Sequence, residues 1–144
     1  MRNYIMATLL LSATFIVNAQ SVTVSSPQII AHRAGTADAP ENTLLAIDKA
    51  LSNGVDAIWI TLQLSKDNIP VLYRPSDLKE LTDKSGAVSG YTAQQLAKVD
   101  ASVAYNKKHN IQPNAGSHTG IPTLDEVLKK YPDTTFYLDI KSPD

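Results

Sequence analysis

A histidine beside an arginine, His32-Arg33, closes one short apolar run; Arg74 closes another, and Asp139 and Lys141 stand two residues apart in a third. Imidazole is the side chain suited to moving a proton near neutral pH. Arginine and lysine hold anions through charge-assisted hydrogen bonds, arginine often through two in parallel. Arg33, Arg74 and Lys141, set against Asp139 and Glu41, form the candidate group. Two like charges ~4 Å apart at an effective dielectric of ~20 repel by about 4 kcal/mol. Three converging cations therefore either spread apart or take an anionic guest. General acid–base hydrolysis needs two proton-transfer groups. His32 is one; His118, two residues before Gly120, is the other candidate, against the plainer reading of a solvated loop histidine.

The elements that must position these residues alternate between strand and helix. Residues 28–31 make a short apolar strand ending at His32-Arg33, followed by a loop of small residues over 35–40. Asn42 is expected to cap a helix whose apolar residues Leu44, Ile47 and Leu51 fall on one face, and Gly54 stands where a left-handed C-terminal cap belongs. Residues 55–64 alternate, with Ile58, Ile60, Leu62 and Leu64 on one side and Ala57, Trp59, Thr61 and Gln63 on the other. Asp67-Asn68 turns the chain back into a strand over 69–74. A two-residue turn there would pair Lys66 with Ile69 and Thr61 with Arg74. Thr92 with Gln95, and Thr123 with Glu126, have the spacing of capping boxes that open helices. Residues 107–120 read as loop. Over 135–141 Phe136, Leu138 and Ile140 alternate with Tyr137, Asp139 and Lys141. Such an order predicts an α/β fold with parallel strands, whose ligands bind at the strands' carboxyl ends.

With 144 residues, 43% apolar and 19% charged, the chain has ordinary globular composition, and its formal charge of -1 argues against binding nucleic acid or a membrane surface. It has no cysteine, which excludes disulfides and thiolate metal sites. Residues 1–19 read as a signal peptide, with Arg2 before an apolar run over 5–17 and a cut after Ala19; the alternative is a buried N-terminal helix. The run falls short of the ~20 residues of a membrane span. The protein is therefore expected to be exported, to the periplasm or beyond, with no membrane span after cleavage. A linker over 20–27 and one domain over 28–144 complete the expected organisation.

Five segments in order carry a resemblance: Ile-Ala-His-Arg-Ala-Gly (30–35), Pro-Glu-Asn-Thr (40–43), Lys-Asp-Asn-Ile-Pro-Val (66–71), Ile-Pro-Thr-Leu-Asp-Glu-Val-Leu (121–128) and Leu-Asp-Ile-Lys (138–141). Together they resemble the glycerophosphodiester phosphodiesterase family. The resemblance implies the first half of a (β/α)8 barrel, complete barrels having about eight strands and ~250 residues. It also implies hydrolysis of a glycerophosphodiester to glycerol 3-phosphate and an alcohol, assisted by calcium or magnesium. His32 matches the family's catalytic histidine and Arg33 the arginine that meets phosphate. Lys141 matches the phosphate-facing lysine, and Asp139 one acidic metal ligand. Trp59 and Thr61 stand where the family has two metal-binding carboxylates, and Arg74 where it has a second histidine. Trp59 carries no acceptor oxygen and reads as barrel filling. Arg74 keeps its proton at any working pH. No bound metal is therefore expected, Asp139 alone being a poor site. Two readings stay open. One is a phosphodiester hydrolase, metal-free if Arg74 does the metal's electrostatic work, as an arginine does in the related bacterial phosphatidylinositol phospholipases. The other is an inactive phosphate-binding relic or truncated gene product. An apolar sheet face left open by a half-barrel is expected to self-associate.

Overall fold

The computed structural model describes residues 26–112 and 118–141, so the expected signal peptide and most of the linker lie outside it. The long alternating segment forms the central strand, β2 (Ala57–Leu64), and every other strand pairs with it. β1 (Ile30–His32) runs parallel to it, with His32 opposite Trp59. β3 (Pro70–Leu72) returns antiparallel, and β4 (Phe136–Ile140) lies parallel, with Thr61 opposite Asp139. Hydrogen-bond directions show how one strand serves three. Ala34 N–H donates to Trp59 O and Tyr73 N–H to Thr61 O, while Ile58 N–H donates to Thr135 O and Lys141 N–H to Leu62 O. The odd-numbered backbone groups of β2 therefore face β1 and then β3 along one edge, and the even-numbered groups face β4.

Helix α1 (Leu44–Ser52) and helix α4 (Leu124–Lys130) cover the even face, where Ile58, Ile60 and Leu62 pack with Ala46, Ile47, Ala50 and Val127. α4 opens on the expected capping box at Thr123 and Glu126. The two helices are tied to each other through Asp48. Tyr131 donates to its Oδ1 at 2.7 Å, and Lys130 lies 3.0 Å from its Oδ2. Burial works to raise the Asp48 carboxyl, but the bonds from Lys130 and Tyr131 outweigh it and hold the group below the usual carboxylate range.

A second core of Val71, Tyr73, Leu78, Val88, Leu96, Val99 and Ile121 lies beneath the segment after β3. That segment contains short 3-10 turns at Leu78–Glu80 and Val88–Gly90. The second capping box opens the one-turn helix α2 (Ala93–Leu96), and α3 (Val103–His109) follows. Its return to α4 needs glycine at one point: a Cβ on Gly120 would lie 2.3 Å from the Ala97 carbonyl oxygen, inside van der Waals contact.

Three sequence expectations are corrected. The helix N-cap is Thr43, whose side chain accepts from Ala46 N–H, and not Asn42, which sits at φ 57 and is buried. α3 begins at Val103 and runs on to His109, into the stretch from 107 that read as loop. The hairpin is one residue out of the expected register, with Gln63 opposite Val71 and Leu64 opposite Pro70. Asn68 explains the shift. It adopts φ 58 and donates to Ser65 O at 2.9 Å, while Ser65 N–H donates to Ile69 O. That closes a three-residue loop, in which a left-handed residue is usual, and not a two-residue turn. Thr61 consequently faces Tyr73, and Arg74 lies one position further along, outside the strand.

Candidate functional site

Alternation and pairing put most of the singled-out side chains on the odd face of the sheet. His32, Trp59 and Tyr137 share one level, Thr61 and Asp139 the next, and Gln63 and Lys141 the level at the carboxyl end. The His32 and Trp59 rings meet edge to face at 5.7 Å. Thr61 Oγ1 donates to Asp139 Oδ2 at 3.4 Å, and Lys141 Nζ lies 3.0 Å from Asp139 Oδ1. Both oxygens of Asp139 are thus engaged by its neighbours.

Arg33 stands apart. Its guanidinium pairs with Glu41 at 3.0 Å, and both side chains are largely shielded from solvent. The chain reaches this pair through an unusual turn. Arg33, Ala34 and Gly35 all have positive φ, at 52°, 62° and 94°. An L residue in that region costs roughly 1–2 kcal/mol, so two in succession need compensation. Ala34 N–H donates to Trp59 O at 3.0 Å, and Asn42 N–H donates to Arg33 O at 2.9 Å. Asn42 then reaches back to β2, accepting from Thr61 N–H at 3.0 Å through Oδ1. Thr61 lies between the stretch of β2 paired with β1 and the stretch paired with β3, and the asparagine closes that gap in the ladder.

Beyond Thr61, at the carboxyl end, a cavity of about 540 Å³ opens between the hairpin, the end of β4 and the Val88–Gly90 turn. Arg74 and Lys141 both line it, together with Lys66, Gln63 and the hydroxyls of Ser76 and Ser89. The structure thus brings together two of the three expected cations, and the third, Arg33, is not among the lining residues. His118 lies elsewhere, its Nε2 3.0 Å from the Ala97 carbonyl oxygen. Two lining residues carried no signal as site residues in the sequence. Lys66 stood in what read as an ordinary turn. Gln63 was one more odd-face position of β2, yet its Nε2 donates to the carbonyls of Tyr73 and Pro75, at 3.0 and 2.8 Å, on either side of Arg74.

Among the described residues, no three histidine, aspartate or glutamate side chains converge. The two acidic residues of the expected group, Asp139 and Glu41, are each held by a cation.

Residues 32–144 match the glycerophosphoryl diester phosphodiesterase family over that whole span. The chain belongs to this family. An uncharacterized protein of Mycobacterium tuberculosis is 48% identical over 120 residues, covering 80% of this chain and 39% of that protein. The crystal structure of its glycerophosphoryl diester phosphodiesterase domain superposes with a TM-score of 0.68 at 43% identity, covering 81% of this chain and 44% of that one. Glycerophosphodiester phosphodiesterase 1 of Bos taurus is 37% identical, over 78% of this chain and 33% of that protein. A phosphodiesterase of Oleispira antarctica, solved in complex with its product sn-glycerol-3-phosphate, gives a TM-score of 0.68 at 30% identity, over 80% of this chain and 44% of that one. The chain thus spans less than half the length of these relatives. The family resemblance and the α/β partial-barrel fold expected from the sequence are both borne out.

Proposed function

We propose that this member of the glycerophosphoryl diester phosphodiesterase family binds a small phosphate anion, a glycerophosphodiester or its glycerol 3-phosphate product, without metal-assisted hydrolysis. The carrying observation is the cavity at the carboxyl ends of β2 and β4, which Arg74 and Lys141 both line. Guanidinium and ammonium groups facing one cavity stabilise an anion through charge-assisted hydrogen bonds. Binding of glycerol 3-phosphate by the Oleispira antarctica phosphodiesterase supports this choice of ligand.

The donor set does not fit a divalent cation. Calcium takes six to eight oxygens and magnesium a near-octahedral set, whereas Trp59 supplies none and Asp139 is engaged by Thr61 and Lys141. His32 is the remaining group for proton transfer on this face, and its ring meets Trp59, not a carboxylate. Arg33, held by Glu41, is assigned to shaping the turn beside the site. With the mature chain and glycerophosphocholine, release of glycerol 3-phosphate is expected to stay at the uncatalysed level, unchanged by added calcium, magnesium or chelator. Chelator-sensitive turnover would overturn this reading.

Export through residues 1–19 belongs to the same proposal, and amino-terminal sequencing of secreted protein should find Gln20 first. Self-association is also expected. Trp59 and Tyr137 on the odd face are 41% and 44% exposed, and Leu138 and Ile140 on the other face of β4 are 46% and 74% exposed. Apolar side chains exposed on both faces of a strand with an unpaired edge favour association, and among the described strands β4 pairs only with β2. Size exclusion with light scattering should therefore give a dimer or larger species, and a monodisperse monomer would refute the expectation.

A further inference from the structure

We infer that the cavity beside Arg74 is built for the dianion of a phosphomonoester in preference to the monoanion of a phosphodiester. This rests on the phosphate-binding reading above and names its ligand more narrowly. Three cations line the cavity from three separate places: Lys66 in the hairpin loop, Arg74 after β3 and Lys141 after β4. No acidic side chain lines it. Asp139 pairs with Lys141 from outside the lining, whereas Lys66 and Arg74 have no ion pair among the described residues, which leaves two cations free to meet a dianion.

The backbone under these cations is fixed independently of any ligand. Lys66 N–H donates to Tyr91 O at 2.8 Å, tying the hairpin loop to the turn that carries Ser89. Asp67 Oδ1 accepts from Ser65 Oγ at 2.6 Å and from Ala93 N–H at 2.9 Å, fastening the same loop to α2. The hydrogen bonds of Asp67 hold its carboxyl below the usual range, so it stays an acceptor through the physiological window. Gln63 clamps the carbonyls on both sides of Arg74. Cations carried on a fixed frame relieve their mutual repulsion by turning into solvent or by taking in negative charge, and a guest with two charges relieves more of it than a guest with one.

The two ligand classes separate by titration. A phosphodiester carries one charge across the working range, whereas a monoester gains its second near pH ~6. The lining holds no histidine and no carboxylate. The hairpin contributes Lys66, Ser65 and Asn68, the segment after β3 contributes Arg74 and Ser76, the turn contributes Ala87 and Ser89, and the end of β4 contributes Lys141. Around the lining stand His32 and the Asp139–Lys141 pair on the odd face, Asp67 in the hairpin loop and Asp77 after Ser76, the last two held below the usual carboxylate range by their hydrogen bonds.

Calorimetric titration of the mature chain with glycerol 3-phosphate, glycerophosphocholine, dimethyl phosphate and inorganic sulfate, at pH 5 and pH 8, tests this. Glycerol 3-phosphate should bind about tenfold or more tightly at pH 8 than at pH 5, the added charge supplying one more charge-assisted hydrogen bond. Glycerophosphocholine, whose phosphate charge is balanced by its quaternary ammonium, and dimethyl phosphate, a net monoanion, should both bind weakly and equally at the two pH values. Sulfate, dianionic throughout, should bind equally at both and more tightly than glycerophosphocholine. Lys66→Met should weaken binding of both glycerol 3-phosphate and glycerophosphocholine, of glycerol 3-phosphate at pH 8 the more, so that the preference between them falls. Equal affinity for glycerol 3-phosphate and glycerophosphocholine at pH 8 would overturn the inference and leave phosphate binding standing. A pH-dependent sulfate affinity would overturn it too, since a protein group would then be titrating. No binding of any probe would defeat the phosphate-binding reading, and this inference with it.

Discussion

Arg74→Glu is expected to weaken phosphate binding by about 100-fold, the largest loss from any single cavity substitution. A hydrogen bond to a charged group contributes about 1.5–3 kcal/mol, and a carboxylate in the same place adds repulsion where the wild-type chain has attraction. The product of the two effects is about 100-fold or more at ~1.4 kcal/mol per decade. Arg74→Lys should fall between, because it keeps the charge and loses the planar fork. Gln63→Leu should also weaken binding, since the carbonyls beside Arg74 lose their clamp. Here the loss should appear with phosphate and sulfate alike, as expected of a positioning residue. Lys108→Glu, on the exposed end of α3, makes the same two-unit change of charge at a site outside the cavity and sets the baseline for net-charge effects. Titration with inorganic phosphate at fixed ionic strength checks the series. If Arg74→Glu does no more than Lys108→Glu, the cavity is not the anion site.

The parts of this site that could be read from the sequence were those fixed by local chemistry. Alternation gave β2 and β4 their faces, and the pairs Thr92/Gln95 and Thr123/Glu126 marked two helix starts that the structure forms as capping boxes. Pairing of Glu41 with Arg33, and of Asp139 with Lys141, follows from opposite charges close together along the chain. The misread features all depended on a single backbone angle or on distant partners. Asn68 and Asn42 both adopt left-handed conformations, and asparagine is among the few residues that take them readily. At Asn68 this lengthens the hairpin loop by one residue and slips the register, moving Arg74 from its expected place opposite Thr61. At Asn42 it turns an apparent cap into a cross-link, leaving the capping role to the adjacent Thr43. α3 opens on Ser102 with no side-chain cap and buries none of its residues, so neither a start signal nor an apolar stripe announced it. Lys66 was hidden for a different reason. A lysine in a turn is usually solvated, and only the segment from 87 to 91, packed beside it, makes a cavity wall of that turn.

Asn42→Ala is expected to be among the most destabilising substitutions in the chain, and its comparison with Asn42→Gly separates two causes. Asn42 is 2% exposed, sits at φ 57 and accepts the Thr61 N–H at 3.0 Å. That N–H lies in the middle of β2, where neither β1 nor β3 reaches it. Alanine leaves it buried without a partner, a loss of about 1–3 kcal/mol. Alanine also carries its Cβ into the left-handed region at roughly 1–2 kcal/mol. Together these take away about 2–5 kcal/mol, a large share of the ~5–15 kcal/mol by which domains are stable. Glycine removes the same acceptor but tolerates the backbone angle, so Asn42→Gly should lose less. Asn42→Asp keeps an acceptor oxygen while replacing the amide nitrogen, which has no hydrogen-bond partner. It does so by burying a carboxyl, so it should also be destabilised. Thermal melts at one protein concentration, followed by far-UV circular dichroism, measure the order. The expected sequence of melting temperatures is wild type, then Gly, then Ala. A glycine variant no more stable than the alanine variant would show that backbone strain at this position contributes nothing. An alanine variant melting with the wild type would show that the Asn42 bridge does not hold β2.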